Sequence, residues 1–500
     1  MQDQIGFEVP TALLGATGQS WIDGRKAEGS ARSMSHKNPT DDSSLGDTGI
    51  ADSSTVDAAV AAARRCFASI WSKYPLAERK RLLLAFADEV GKHAAELTLL
   101  ETLEVGRPIS DAGALNQGAA NLVRNYANMI DRVHGNLFSA EEHRLGVVWR
   151  RPRGVVAAIV PWNVPVMNVL LRVAPALAAG NTIVVKPSEN SPRSAVLLAK
   201  LASNAGIPDG AFNVVLGPGA ETGQALASHP DVNLVTFTGS SKTGLEISRA
   251  AARTTLKPVL MECGGKSAQV LLEDAFDDPA IWRSIFFSGF WNSGQWCVAK
   301  TRLIVPRALE RAALEGLQSV AQEWPVGDPR QTATRLGPLA NASQLARVQA
   351  YAVSASRLGE LVDLGCPRST IDARGCFTFP SVATRLPRGS ILSREEIFGP
   401  LITLEGFDDI ADAIELANDT QFGLSASIWT NKSDLGYKLA RSIEAGGVSV
   451  YSSVEAAKQS APELGTSRYF EPRKQSGYGV EGGLPGFLAY TSAQSVSFFN

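Results

Sequence analysis

From residue 154 onward, short runs of β-branched and apolar residues alternate with longer amphipathic blocks. VVAAIV is followed by PWNVP and a helical block through Ala179. TIVVK is followed by PSENSP and a block through Ala205, FNVVL by GPGAETG and a block, and VNLVTF by TGSSKTG and a block. KPVLME ends at CGGK. The short runs are buried-strand patterns and the blocks repeat apolar positions at helical spacing. Strand, loop and helix repeated this often predict an α/β fold with a doubly wound, mostly parallel sheet, whose ligand sites lie at the carboxyl ends of the strands. A second α/β run extends from about 267 to 450, with strands in SAQVLL, TRLIVP and LITLEGF and helices over 280–292 and 410–418, so a second Rossmann-like unit is expected.

The flanks differ. Residues 55–70, 76–104 and 114–134 are rich in alanine, leucine and paired charges and predict three helices; 145–151 (LGVVWRR) predicts a strand. The tail, 484–500, alternates loosely and reads as a strand whose partner is distant, such as another subunit. The first fifteen residues are expected to lack order.

Composition changes this picture little, but it excludes function classes. The 500 residues are 44% apolar and 20% charged, with a net charge of −2 and no long run of one sign. That offers no electrostatic footprint for nucleic acid or an anionic membrane. No stretch approaches a membrane span and the N-terminus carries no signal-peptide pattern, so a cytoplasmic protein is expected. The five cysteines, Cys66, Cys263, Cys297, Cys366 and Cys376, are odd in number and widely spaced, without a CxxC. This fits a reducing compartment and predicts neither disulfides nor a metal site.

Candidate chemistry sits at the predicted strand ends. No GxGxxG follows a strand. FTGSSKTG (237–244) and GPGAETG (217–223) instead put glycine and serine where helices begin, which suits a pyrophosphate and equally an ordinary helix cap. VVKPSE offers Lys186 and Glu189, a cation and an acceptor fit for a ribose diol or for a capping box. MECGGK ends a strand on Glu262, a general base if partly buried, or one half of an ion pair with Lys266. GFWNSGQWCVAK (289–300) supplies the Cys297 thiol, a nucleophile if local donors favour the thiolate and otherwise a packing residue. Asn163, between two prolines in PWNVP, can furnish an oxyanion donor or simply a turn.

Together with EEIFGP (395–400), NDTQFGLSA (418–426) and KQSGYG (474–479), these motifs resemble the NAD(P)-dependent aldehyde dehydrogenase superfamily in order and approximate spacing, over roughly residues 20–496. The resemblance implies two Rossmann-like doubly wound domains and a small β oligomerisation element. In those terms 1–135 and 154–261 form the NAD-binding domain, 262–450 (extending to about 480) the catalytic domain, and 136–153 with 484–500 the strands that build a homodimer or homotetramer. It implies Cys297 as nucleophile, Glu262 as the base that activates water, and Asn163 with the Cys297 backbone N–H as the oxyanion hole. Lys186 and Glu189 would hold the adenosine ribose. Gly219, Phe237, Gly239 and Ser240 would form the adenine and pyrophosphate turns, Val160 and Trp162 the strand-end loop, and Glu396 and Phe398 the nicotinamide contacts. A thiohemiacetal, hydride transfer to the nicotinamide, and a thioester hydrolysed by water follow.

A carboxylate at Glu189 repels a 2′-phosphate, which favours NAD over NADP. Asn168, Leu171, Trp291 and Trp296 fall at pocket positions, and no matched arginine awaits a carboxylate-bearing substrate, so a medium-sized apolar or aromatic aldehyde is expected. The two tryptophans serve core packing equally well. Rival expectations are an acidic semialdehyde or CoA-acylating dehydrogenase of the same fold, or a catalytically retired binding or structural homologue. The chain departs from the family at Cys263, where leucine is usual and little effect is expected, in RYFEPRKQSG, and in a longer 452–467 segment.

Overall fold

A computed structural model describes residues 11–369, 371–459 and 469–499. Its central sheet has eight strands. Five are parallel, in the spatial order Phe212–Val214, Thr182–Lys186, Val155–Ile159, Leu234–Thr238, Val259–Glu262. The earliest of the five in the chain lies in the middle, so the winding direction reverses beside it, and a crevice opens there at the carboxyl ends. The helices Leu76–Lys92, Ile109–Met129, Pro165–Ala178 and Arg193–Asn204 pack one face; Ser53–Ser69 and Ser241–Ala252 pack the other. This is why VVAAI, and TIVVK between its end residues Thr182 and Lys186, are continuous apolar runs rather than alternating: every residue of both strands is buried. Antiparallel strands close the edges, Ser20–Ile22 and then Arg25–Ala27 at one side and Gly477–Tyr478 at the other.

The second sheet has seven strands in the order Glu360–Asp363, Ser381–Thr384, Leu401–Phe407, Arg302–Pro306, Ala268–Leu271, Ser425–Trp429, Gly447–Tyr451, parallel except at the first pair. Its helices, Ile281–Phe290 and Ile410–Asn418 among them, bury separate apolar clusters. Only five residues join the last strand of the first sheet to the first strand of the second, and they carry CGGKS.

A third sheet stands apart: Asn136–Glu141, Arg144–Pro152 and Thr491–Phe499, all antiparallel. The tail strand thus pairs with a segment of its own chain over 300 residues away, Thr491 opposite Pro152 and Phe499 opposite Arg144. Two expectations need correction. Residues 484–489 are helical, within Gly483–Ala489, because GLPGFLA buries Phe487 against Tyr126, with ring centroids 6.2 Å apart. The block 76–104 is two helices, Leu76–Lys92 and Ala94–Val105, since His93 departs from helical geometry at φ −103°, ψ 16°. The expectation of disorder over the first fifteen residues falls mostly outside the described residues, Thr11–Ala16 being helical. The long 452–467 segment falls outside them from 460; before that, Val454–Gln459 is helical.

Candidate active site

The cleft between the two sheets encloses about 270 Å³. The carboxyl end of the first sheet delivers one wall, through the loop after Val155–Ile159 (Trp162, Asn163), the helix that follows (Met167, Asn168, Leu171, Arg172), and the loops carrying Gly239, Ser240 and Glu262. The second unit delivers the other, through Trp296, Cys297, Val298, Glu396 and Phe398. Eleven residues singled out in the sequence therefore meet in one cavity, though they span positions 162 to 398.

The thiol is set by an unusual turn. After the helix Ile281–Phe290, Asn292, Ser293 and Gly294 adopt φ of 53°, 54° and 71° in succession. Left-handed backbone is costly for residues other than glycine, asparagine tolerating it best. The Gln295 side chain stabilises the turn, its amide donating to the Asn292 carbonyl (3.1 Å) and its carbonyl oxygen accepting from Ala340 N (2.9 Å). Cys297 thus lies on irregular backbone between the sheets. Burial pushes its thiol up to about 12, helped by Glu396, Glu481 and Glu262 and opposed by Arg172. Burial thus favours the protonated thiol, and attack by this sulfur would require an acceptor for its proton.

Glu262 is a candidate acceptor in the same cavity wall. It ends its strand, with its carbonyl bonded by Gly239 N (3.1 Å) and the next residue's N–H bonded to Ser476 O (2.7 Å). Burial holds its carboxyl well above the usual carboxylate range, Glu481 adds to this and Arg172 opposes it. Lys266 is not its partner: that amine is buried without a hydrogen-bond partner, and burial pushes it down to about 7. The Asn163 amide donates to Gln295 O (3.1 Å) and its oxygen accepts from Asn168 Nδ2 (3.1 Å), leaving one amide proton for another acceptor.

Some predicted residues lie outside the cavity wall. Trp291 stands behind Trp296, ring centroids 4.9 Å apart. Phe237 is buried, its ring beneath Gly239. Val160, Lys186, Glu189 and Gly219 lie farther along the sheet edge. Val160 N bonds Lys186 O (3.1 Å), and the buried Lys186 ammonium pairs with Glu189 at 3.3 Å. A lysine has three protons to donate, so this one keeps capacity for further acceptors, while the Glu189 side chain is half exposed. Gly219 faces open space. Ser240 caps the helix Ser241–Ala252, accepting from Thr243 N (3.2 Å). A buried cation, a half-exposed carboxylate and a helix N-terminus along one sheet edge fit the diol and pyrophosphate of a dinucleotide. At the other end Glu396 passes over Gly264 and accepts from Gly265 N (3.0 Å), and burial pushes its carboxyl up to about 7. Phe398, at φ 61°, meets Trp162 edge-on at 5.5 Å.

Sequence reading missed Arg172, Glu481, Met167, Gln344, Arg347 and Phe470, all in the cavity wall. Arg172 is nearly fully buried, pairs with Glu481 and donates to Thr238 Oγ1 (2.6 Å). An arginine in a helix otherwise apolar but for Asn168, VMNVLLRVAPALA, was the available signal, since such a residue needs a buried partner. Cys263 packs against Met261 and Gly244, as a small apolar residue would.

Fold and site together define a two-sheet α/β protein with a thiol, a carboxylate and an amide in the cleft between a dinucleotide-type crevice and a second unit. A model of the Aldehyde dehydrogenase family matches residues 25–496, and the chain belongs to that family. It is 37% identical over 443 residues to the NADP/NAD-dependent aldehyde dehydrogenase PuuC of Escherichia coli (88% of this chain, 87% of the relative). It is 39% identical over 443 residues to an aminoacetaldehyde dehydrogenase of Pseudomonas aeruginosa (88% of each). Among solved structures it is similar to an indole-3-acetaldehyde dehydrogenase of P. syringae in complex with NAD+ (TM-score 0.91, 33% identity, 97% of each chain). It is also similar to a gamma-glutamyl-gamma-aminobutyraldehyde dehydrogenase of Burkholderia cenocepacia (TM-score 0.91, 37% identity, 97% of each). Among the described residues no helix is long and apolar enough to cross a membrane, and no group of side chains could hold a metal ion.

Proposed function

We propose that this aldehyde dehydrogenase oxidises a medium-sized apolar or aromatic aldehyde to its acid with NAD, through a thioester on Cys297. The observation that carries the reading is the convergence of Cys297, Glu262 and the Asn163 amide on one cleft walled by Met167, Leu171, Trp296, Val298 and Phe470. Glu262, held above the carboxylate range by burial and Glu481, is basic enough to take a proton from the thiol and later from water. Sulfur attacks the aldehyde carbon, and the free Asn163 amide proton with the Cys297 N–H stabilises the resulting oxyanion. NAD, when bound, supplies the hydride acceptor. Lys186 and Glu189 would hold its adenosine ribose, Ser240 and Gly239 its pyrophosphate, and Glu396 and Phe398 its nicotinamide end. Glu262 then deprotonates the water that hydrolyses the thioester. The half-exposed Glu189 carboxylate argues for NAD over NADP, because it accepts from a 2′-hydroxyl and repels a 2′-phosphate.

The walls support the substrate class. Of the arginines in the cleft, the buried Arg172 is engaged by Glu481 and Thr238 and so is not free for a substrate carboxylate; Arg347 is exposed and bonds the Glu396 carbonyl through one nitrogen. The structural neighbour named for indole-3-acetaldehyde lends support to an aromatic substrate. The test is NADH formation over a panel of aliphatic, aromatic and acidic aldehydes, with Cys297→Ala as control. Highest kcat/KM for short acidic semialdehydes refutes the substrate class. Hydride transfer without turnover in Glu262→Gln, with thioester accumulating, supports hydrolysis.

We further infer that the chain is a homodimer or homotetramer assembled through the three-stranded sheet. That sheet leaves Leu137, Phe138, Leu145, Trp149, Phe498 and Phe499 exposed. An apolar surface of this kind on an antiparallel sheet marks an interface.

A further inference from the structure

We propose that Arg107 is a positioning residue that fixes the Asn163 amide against the nucleophile turn, so that the oxyanion hole is set from a buried helix end outside the cleft. This rests on the reading of Asn163 as an oxyanion donor. The loop 161–164 belongs neither to the strand before it nor to the helix after it, and the turn 291–297 is irregular and left-handed. Neither has a ladder to set its register, yet they must meet to within a fraction of an ångström for catalysis.

Arg107 joins them. Its guanidinium is fully buried. One Nη donates to the Asn163 carbonyl, the other to Glu101 Oε2 (2.8 Å), and Nε to Asn292 Oδ1 (3.4 Å). Asn292 turns back across the gap, its amide donating to the Asn163 carbonyl (3.0 Å) and to Gln295 O (3.2 Å), the same oxygen that takes the Asn163 amide. The second Glu101 oxygen accepts from Val166 N (2.9 Å), in the first turn of the helix behind Asn163. A closed ring of hydrogen bonds thus runs from helix Ala94–Val105 through the oxyanion loop to the nucleophile turn and back. The face of Trp291 covers the guanidinium at 5.3 Å, and Trp291 meets Trp296 edge-on, so the same brace backs the pocket wall.

The geometry explains the residue types. Three acceptors lie in different directions around one cation, and only a planar fork with donors on three nitrogens serves them together. Glu101 neutralises the charge where water cannot. Asn292 supplies both a donor and an acceptor on backbone with φ 53°, which asparagine tolerates better than most residues.

The experiment is a double-mutant cycle of Arg107→Lys with Asn163→Ala in the full-length enzyme, read as kcat and as the KM for NAD. Lysine keeps the charge beside Glu101 but cannot bridge three acceptors. A mis-set donor costs on the order of tenfold to a hundredfold in kcat. Arg107→Lys is expected to lose that much with the KM for NAD unchanged within about twofold. In the Asn163→Ala background the same change is expected to cost less than about threefold, the non-additivity of groups acting as one unit. Alkylation of Cys297 by iodoacetamide, which forms no oxyanion, should slow by no more than about threefold. Losses that add, an equal fall in alkylation, or unchanged kcat in Arg107→Lys each overturn the proposal. An unchanged kcat in Asn163→Ala alone overturns the underlying reading instead. Should Arg107→Lys not fold, Asn292→Asp takes its place in the cycle, since it keeps the acceptor for Arg107 and removes the donor to Asn163.

Discussion

Replacing Glu481 with glutamine perturbs the electrostatics of the reacting groups without touching any of them. The Glu481 charge raises both Glu262 and Cys297, while Arg172, which it neutralises, acts on both in the opposite sense. The substitution removes the first influence and unmasks the second, so the two groups move down together. At an effective dielectric constant of ~20, a neighbouring charge in such a site is worth on the order of 2 kcal/mol. Partial access of water to Glu481, whose side chain is 20% exposed, screens this, and the acid limb of the rate profile is expected to move by on the order of one pH unit. In the proposed mechanism Glu262 acts when ionised, so kcat is expected to rise with pH through its pKa. Followed as NADH formation from about pH 5 to 9, the acid limb of kcat should move to lower pH while the plateau falls several-fold, because a weaker base is a poorer catalyst. The pH dependence of Cys297 alkylation should move the same way. Breaking a buried pair costs about 3–5 kcal/mol, and somewhat less here because Arg172 keeps Thr238 and Asn168 as partners. A lower Tm is therefore expected as well. An acid limb that stays in place or moves to higher pH refutes the reasoning.

Glu189→Gln ends the repulsion of a 2′-phosphate and frees the buried Lys186 cation, so kcat/KM for NADP relative to NAD should rise by about tenfold or more, corresponding to about 1.4 kcal/mol; an unchanged ratio in steady-state kinetics counts against Glu189 as the discriminator. Gly294→Ala would set a methyl 2.2 Å from the Gly399 carbonyl oxygen at φ 71°, against backbone that has no room to yield. It should lower the Tm and reduce kcat by about a hundredfold through displacement of the thiol, and wild-type kcat would show that the turn tolerates a side chain. Ending the chain after Tyr490 keeps the buried Phe487 and Tyr490 and removes only the strand Thr491–Phe499; light scattering should then give a lower mass than for the full chain, and an equal mass refutes assembly through that sheet.

The parallel strands were legible because they are short runs, several of them such as VVAAI, TIVVK and FNV buried on both faces, and the loops that end them carry the candidate chemistry at fixed offsets. VVKPSE, MECGGK and GQWC each announce a side chain at a strand end or irregular turn from local pattern alone. The helical start of the tail was not legible, since it turns on packing of Phe487 against the distant Tyr126, and the helix boundary falls on His93, which is not a turn-forming residue that would announce it. Arg172 was passed over because its meaning depends on Glu481, over 300 residues later.

By itself the sequence determined the doubly wound architecture, the order of the strands along the chain and the identity of thiol, carboxylate and amide, all properties of hydrophobic period and local residue chemistry. Tertiary structure alone decided which of them share a cavity, that Trp296 lines it while Trp291 stands behind, that Arg172 sits in its wall, and that Arg107 lies buried behind it. Burial and long-range ion pairs set those features, and neither is written in any stretch of neighbouring residues.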